Sequence, residues 1–267
     1  MSKTLPQSQP MHFAIQAMRK VPEVTIYFWI IKLLSTAMGE STSDYLVYHI
    51  NPYIAVAVGG IGLLVSLVLQ LWVRRYVAWI YWLAVVMVAI FGTMAADVLH
   101  VVLGIPFLVS TVFFAVVLAV IFIVWYASEK TLSIHSINTP RRELFYWATV
   151  MATFALGTAA GDMTAATLGL GYFSSGVLFA VLFAVPALAY GLFGLNEIVA
   201  FWFAYIMTRP LGASFADWFG KPILGGLGLG DTKVALVLTI LIIGFVGYVT
   251  VTRKDMKGEQ RSLPLFK

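Results

Sequence analysis

Seven charged residues lie inside stretches that are otherwise apolar: Lys32, Glu40, Asp44, Asp97, Asp162, Arg209 and Asp217. Carboxylates inside a low-dielectric interior either hold a proton or share a cation, and intramembrane acids mark ion paths or proton relays by default. If all seven were ionised, five acids would face two bases. Some carboxylates must then be protonated, or a cation must join them. The nearby hydroxyls of Ser41, Thr42, Ser43, Thr93, Thr158 and Thr164 are hard oxygen donors. Such a donor set suits protons, Na⁺, Mg²⁺, Mn²⁺ or Ca²⁺. Lys32 and Arg209 read as internal counter-charges or gating groups that compete with a cation for the same carboxylates. His100 follows Asp97 by three residues on one helix face, which makes it a candidate metal ligand; His49 is a weaker one.

Four of the acids sit at one spacing. The pattern [FY]-W-x9-G-x4-D occurs at Phe28-Trp29 with Gly39 and Asp44, and at Tyr81-Trp82 with Gly92 and Asp97. It returns at Tyr146-Trp147 with Gly157 and Asp162, and at Phe201-Trp202 with Gly212 and Asp217. In a helix the step from Trp to Asp is about 22 Å, close to a hydrocarbon thickness. Each copy reads as a Trp-to-Asp helix, a short outer turn and an apolar return helix. The tryptophans are expected as interfacial anchors and the glycines as close-packing points.

The elements that must position these residues follow from composition. With 61% hydrophobic and 11% charged residues and a mean hydropathy of +0.92, the chain is no ordinary soluble domain. Apolar runs near 23–46, 53–73, 76–100, 106–127, 144–168, 174–193, 196–217 and 232–252 are each long enough to span a bilayer. Lipid-exposed backbone must satisfy itself, so the runs predict helices. The expected fold is an all-α integral membrane protein: eight transmembrane helices as four parallel helical-hairpin repeats in a pseudo-symmetric bundle. The division runs: amino-terminal segment 1–19, repeats 20–75 and 76–127, linker 128–142, repeats 143–194 and 195–252, tail 253–267.

With no cysteine, disulfides and thiolate metal sites are excluded. The polar residues before Arg19 predict no cleavable signal peptide. Thirteen Lys and Arg fall on one side of the eight spans, against Lys221 and Lys233 opposite. Both termini are therefore expected in the cytoplasm, in a multi-pass protein of a bacterial inner membrane. The net charge of +5 is then topological and implies no nucleic acid. The partners implied are the bilayer and a small inorganic cation, with a homo-oligomer left open and no cofactor beyond the transported ion.

Over residues 20–252 the chain resembles bacterial membrane proteins built from four tandem two-span repeats of unknown function, each with a characteristic tryptophan. The resemblance rests on Trp29, Trp82, Trp147 and Trp202 with their following Gly and Asp. It implies the fold and repeat count and no activity. A competing motif is "GLGD" at 228–231 followed by Lys233, which resembles the G-x-G-D of intramembrane aspartyl proteases. That reading would pair Asp231 with Asp162 as two carboxylates sharing a proton. The expectation the residues favour is cation transport, with efflux of a hard divalent metal leading. The protease and a non-transporting regulatory membrane protein are the alternatives.

Overall fold

The computed structural model describes residues 19–256. Lys3, Lys257, Arg261 and Lys267, used above to count charge, lie outside the described residues, as do most of segment 1–19 and of the tail. The long helices are α1 (Ile26–His49), α2 (Pro52–Trp72), α3 (Ala78–Asp97) and α4 (Phe107–Glu129). They continue with α5 (Pro140–Asp162), α6 (Gly171–Phe193), α7 (Glu197–Gly220) and α8 (Asp231–Thr252). No strand occurs among the described residues.

Local chemistry sets several helix ends. Asn51 and Thr139 cap amides of the first turn, each with a proline in the first helical turn. Asn196 accepts from Ile198 and Val199. Lys130, Gly194 and Arg253 end α4, α6 and α8 in the left-handed conformation. Among the described residues seven helices are long and apolar enough to cross a membrane, which suggests a multi-pass membrane protein. The exception is α1, whose apolar run is broken by Lys32, Glu40 and Asp44.

The odd-numbered helices form an inner ring in which α1 packs on α3, α3 on α5, α5 on α7 and α7 on α1. Each even helix leaves its own hairpin partner and covers the inner helix of the following repeat: α2 on α3, α4 on α5, α6 on α7, and α8 back on α1. The hairpins expected from the sequence are thus exchanged around the ring. The outer helices bury only a narrow stripe, such as Ala55, Gly59, Leu63, Ser66 and Gln70 of α2. Their remaining Leu, Ile, Val and Phe face outward.

The repeated glycines are where the inner helices cross. A methyl on Gly39 would overlap Ala89, and one on Gly92 would come within 2.8 Å of Phe154 Cβ. On Gly157 it would overlap the Arg209 side chain, and on Gly212 the Thr36 hydroxyl. The four contacts run from each repeat to the next and close the circle, as small-residue crossings do in lipid.

The tryptophans differ from the interfacial anchors expected of them. Trp82, Trp147 and Trp202 are 2%, 5% and 5% exposed, and Trp29 is half-buried. Each stacks on the aromatic that opens the neighbouring copy: Trp82 on Phe28 at 5.7 Å, Trp147 on Tyr81 at 5.7 Å, Trp202 on Tyr146 at 6.3 Å, Trp29 on Phe201 at 5.9 Å. The physical reason is the exchange: the outer helix of the preceding repeat covers a face that would otherwise meet the surroundings. The indoles are ring-to-ring fasteners.

Candidate cation site at the outer end of the ring

Along the ring axis the buried layers change in character. Nearest the amino-terminal ends of the inner helices lie Phe28, Tyr81, Tyr146 and Phe201, with the Tyr81 and Tyr146 hydroxyls 2.5 Å apart. Buried hydroxyls follow, and they bond back into their own helices. Ser35 donates to Lys32 O at 2.8 Å, Thr153 to Val150 O at 2.7 Å and Thr208 to Tyr205 O at 2.6 Å. This satisfies those three hydroxyls inside the bundle, whereas the Ser41 and Ser214 hydroxyls are buried without a hydrogen-bond partner.

Lys32 is 1% exposed, and its ammonium has no carboxylate partner. It lies 4.0 Å from the Phe154 ring centroid and 4.1 Å from that of Tyr205, a cation–π seat between two helices. The expected role as a counter-charge to an acid is therefore not what its contacts describe. Arg209 is fully buried and does meet an acid: its guanidinium donates to Glu40 and to Thr93 Oγ1, to Thr158 Oγ1 at 2.8 Å, and to Thr36 O at 2.9 Å. Glu40, Thr93 and Thr158 each follow the repeat glycine of their own copy. One side chain from the fourth repeat thus touches equivalent positions in the other three.

At the carboxy-terminal ends of the inner helices the acids gather. Glu40, Asp44 and Asp217 are buried, and each offers a carboxylate oxygen within 4.8 Å of the others. Asp97 accepts from Ser43 at 3.5 Å, and both Asp97 and Asp162 lie within electrostatic reach of Glu40 and Asp44. The helices α3 and α5 pass into one π-helical turn directly after Asp97 and Asp162, at Val98–Val102 and Met163–Thr167. Such turns widen the helix and recur at functional sites.

In the sequence Lys221 is only a loop charge. Its ammonium is 2.9 Å from Asp44 and 2.8 Å from Asp217, so it bridges α1 and α7 across the seam between first and last repeats. Burial opposes its charge, but Asp217, Asp44 and Glu40 outweigh that and hold the amine well above its ordinary value. The available signal was its place four residues after Asp217, one helical turn on.

His100 is turned away from the acids. Its ring nitrogens meet Ile105 O at 3.1 Å and Ser110 Oγ at 3.3 Å, and it stands outside the carboxylate group. His49 stacks on Tyr45 and faces its backbone oxygen. The "GLGD" loop folds back on the end of α7: Leu229 N donates to Phe219 O at 2.9 Å and Gly230 N to Gly220 O at 3.0 Å. Its glycines at positive φ, 69° at Gly228 and 89° at Gly230, make that return.

At the other end of the ring lies a second buried polar group, which no local spacing in the chain signals. Lys20 donates to Glu143 at 2.5 Å and to Leu71 O at 3.0 Å, and Gln70 donates to Glu143 at 3.0 Å. Residues 19–22 are buried there, joined to Ile137, Tyr76 and Asp255 by backbone bonds from Lys20, to Arg19 and from Glu23.

The family model described as Repeat of Unknown Function (DUF347) matches the chain four times, over residues 27–76, 80–131, 145–193 and 200–255. No curated protein and no solved structure matches it.

Proposed function

As the chain belongs to the DUF347 repeat family, whose copies here set equivalent residues around one axis, we propose that it transports a small inorganic cation through the carboxylate site of the ring. The observation that carries this reading is the convergence of Glu40, Asp44 and Asp217 within 4.8 Å, with an ammonium already seated on two of them. Hard oxygen donors in that number favour H⁺, Na⁺, Mg²⁺ or Mn²⁺. Asp97 and Asp162 extend the negative field and serve as relay or entry groups. The setting is a bacterial inner membrane with both termini in the cytoplasm, and efflux of a divalent metal is the favoured direction.

The polar-inside, apolar-outside distribution supports this setting, because Leu, Ile and Val on α2, α4, α6 and α8 face outward while Ser, Thr, Arg and Lys line the axis. The test is flux into and out of proteoliposomes for each of the four ions, with wild type beside Asp44→Asn, Asp217→Asn and Asp97→Asn. Flux of one ion, lost in the first two variants and weakened in the third, is the expected result. Folded wild-type protein that moves none of these ions would sink the proposal.

A further inference from the structure

The guanidinium of Arg209 closes the axis one helical turn below the acidic site. The stem of Arg209 fills the space opposite Gly157, where any Cβ would overlap its Cβ and Cγ, and the guanidinium binds three side chains at equivalent positions of the other repeats together with Thr36 O. Only one of those partners is charged. That partner, Glu40, also belongs to the carboxylate group with Asp44 and Asp217. A single carboxylate is therefore shared between the plug of the axis and the cation site.

We propose that Arg209 is the gate of the ring and Glu40 its latch: a cation that draws Glu40 toward Asp44 and Asp217 takes it from Arg209 and frees the axis. This rests on the cation reading above. The physics is a competition for one anion. With Glu40 in place, the guanidinium holds a charge-assisted bond beside two neutral hydroxyls and a carbonyl. With Glu40 engaged by a cation, the buried guanidinium keeps only neutral partners, and an uncompensated buried charge is strongly disfavoured. The closed arrangement then loses its main stabilisation, and the population shifts by the difference in cation affinity between the two states.

The absence of native cysteine gives a direct readout. Ala213, 4% exposed, holds in the fourth repeat the position that Glu40, Thr93 and Thr158 hold in the others, and Ala96 on α3 is fully buried. Single Ala213→Cys and Ala96→Cys chains are reconstituted and treated with a membrane-impermeant thiol reagent, with and without Mn²⁺. Mn²⁺ binding is followed separately by the electron paramagnetic resonance of the free ion. The expected result is slow labelling at rest and labelling about tenfold faster with Mn²⁺. Glu40→Gln in the same background should give the fast rate without Mn²⁺. Thr158→Val, which removes a gate partner of Arg209, should speed labelling at rest and, because the coupling is reciprocal, tighten the apparent Mn²⁺ affinity. Mn²⁺ binding with no change in labelling would overturn the latch and leave the cation reading standing. No Mn²⁺ binding would overturn both as a coupled device, and unchanged labelling in Glu40→Gln would overturn the gate itself.

Discussion

Gly212 lies so close to Thr36 that any side chain on it would overlap the threonine hydroxyl. The contact joins the last inner helix to the first and so closes the ring. Gly212→Ala should therefore force α1 and α7 apart and cost about 3 kcal/mol, at the upper end for overpacking. Gly244→Ala, in α8 with nothing within 4 Å of its added methyl, is the control and should leave stability nearly unchanged. Thermal unfolding in detergent decides between them; equal effects at the two sites would mean that the crossing yields.

Burial separates the tryptophans into two kinds. Trp82 is 2% exposed against the neighbouring Phe28, whereas Trp72 is 79% exposed at the end of α2. Trp82→Ala should cost about 3–5 kcal/mol by cavity formation and lost ring contact. Trp72→Ala should cost well under 1 kcal/mol in detergent. A comparable loss from both would return the repeat tryptophans to the role of surface anchors.

Removing the ammonium from between Asp44 and Asp217 leaves two buried carboxylates without their bridge. Lys221→Met should destabilise the folded protein by about 3 kcal/mol, the scale for breaking a buried pair from one side. Adding Asp217→Asn to that variant should recover part of the loss, because the neighbours act on one another. Millimolar Mn²⁺ should also stabilise Lys221→Met more than wild type, since the vacated oxygens can then take the ion. Thermal shift against metal concentration measures this, and an equal response in the two proteins would contradict it.

The Tyr76 phenol donates to Asp255 at 2.5 Å between the α2–α3 turn and the segment after α8. Burial first, and the Asp255 charge second, push its ionisation well above the ordinary value. An acid held protonated by the fold stabilises fully below the unfolded pKa of about 10 and loses that contribution as pH climbs beyond it. Stability should thus be insensitive to this pair from pH 6 to about 9 and fall above about 10. Tyr76→Phe should cost about 1.5–3 kcal/mol at neutral pH, as for a bond to a charged group, and flatten the alkaline fall. Unfolding curves at several pH values test both statements.

How far the fold could be read from the chain depends on which contacts are local. The Trp-to-Gly-to-Asp spacing is a property of single helices, and it placed Gly39, Gly92, Gly157 and Gly212 at crossing points before any partner was known. The partner itself was not legible: Glu40 and Arg209 are 169 residues apart and Lys20 and Glu143 are 123 apart. Spacing within a helix says nothing of which helix stands opposite. Lys32 shows the same limit, because a buried ammonium asks for compensation and the sequence favours acids for it, whereas the ring supplies the faces of Phe154 and Tyr205. Lys221 carries no such signal, because loop lysines are usually solvated. Its role appears only when the glycine-rich return after α7 holds the chain over Asp44.

Because α8 seats on α1 rather than on its own hairpin partner, the earliest of the eight long helices to be synthesised is the last to be finished. Until the ribosome has delivered α7 and α8, α1 must wait with Lys32, Glu40 and Asp44 incompletely covered, on the one of the eight helices whose apolar run is too broken to cross a membrane. The order of manufacture thus imposes a long interval in which α1 has α3 beside it but lacks α7 and α8. A chain cut short before Asp231 would keep most of the ring's residues and still leave its first helix without a coat.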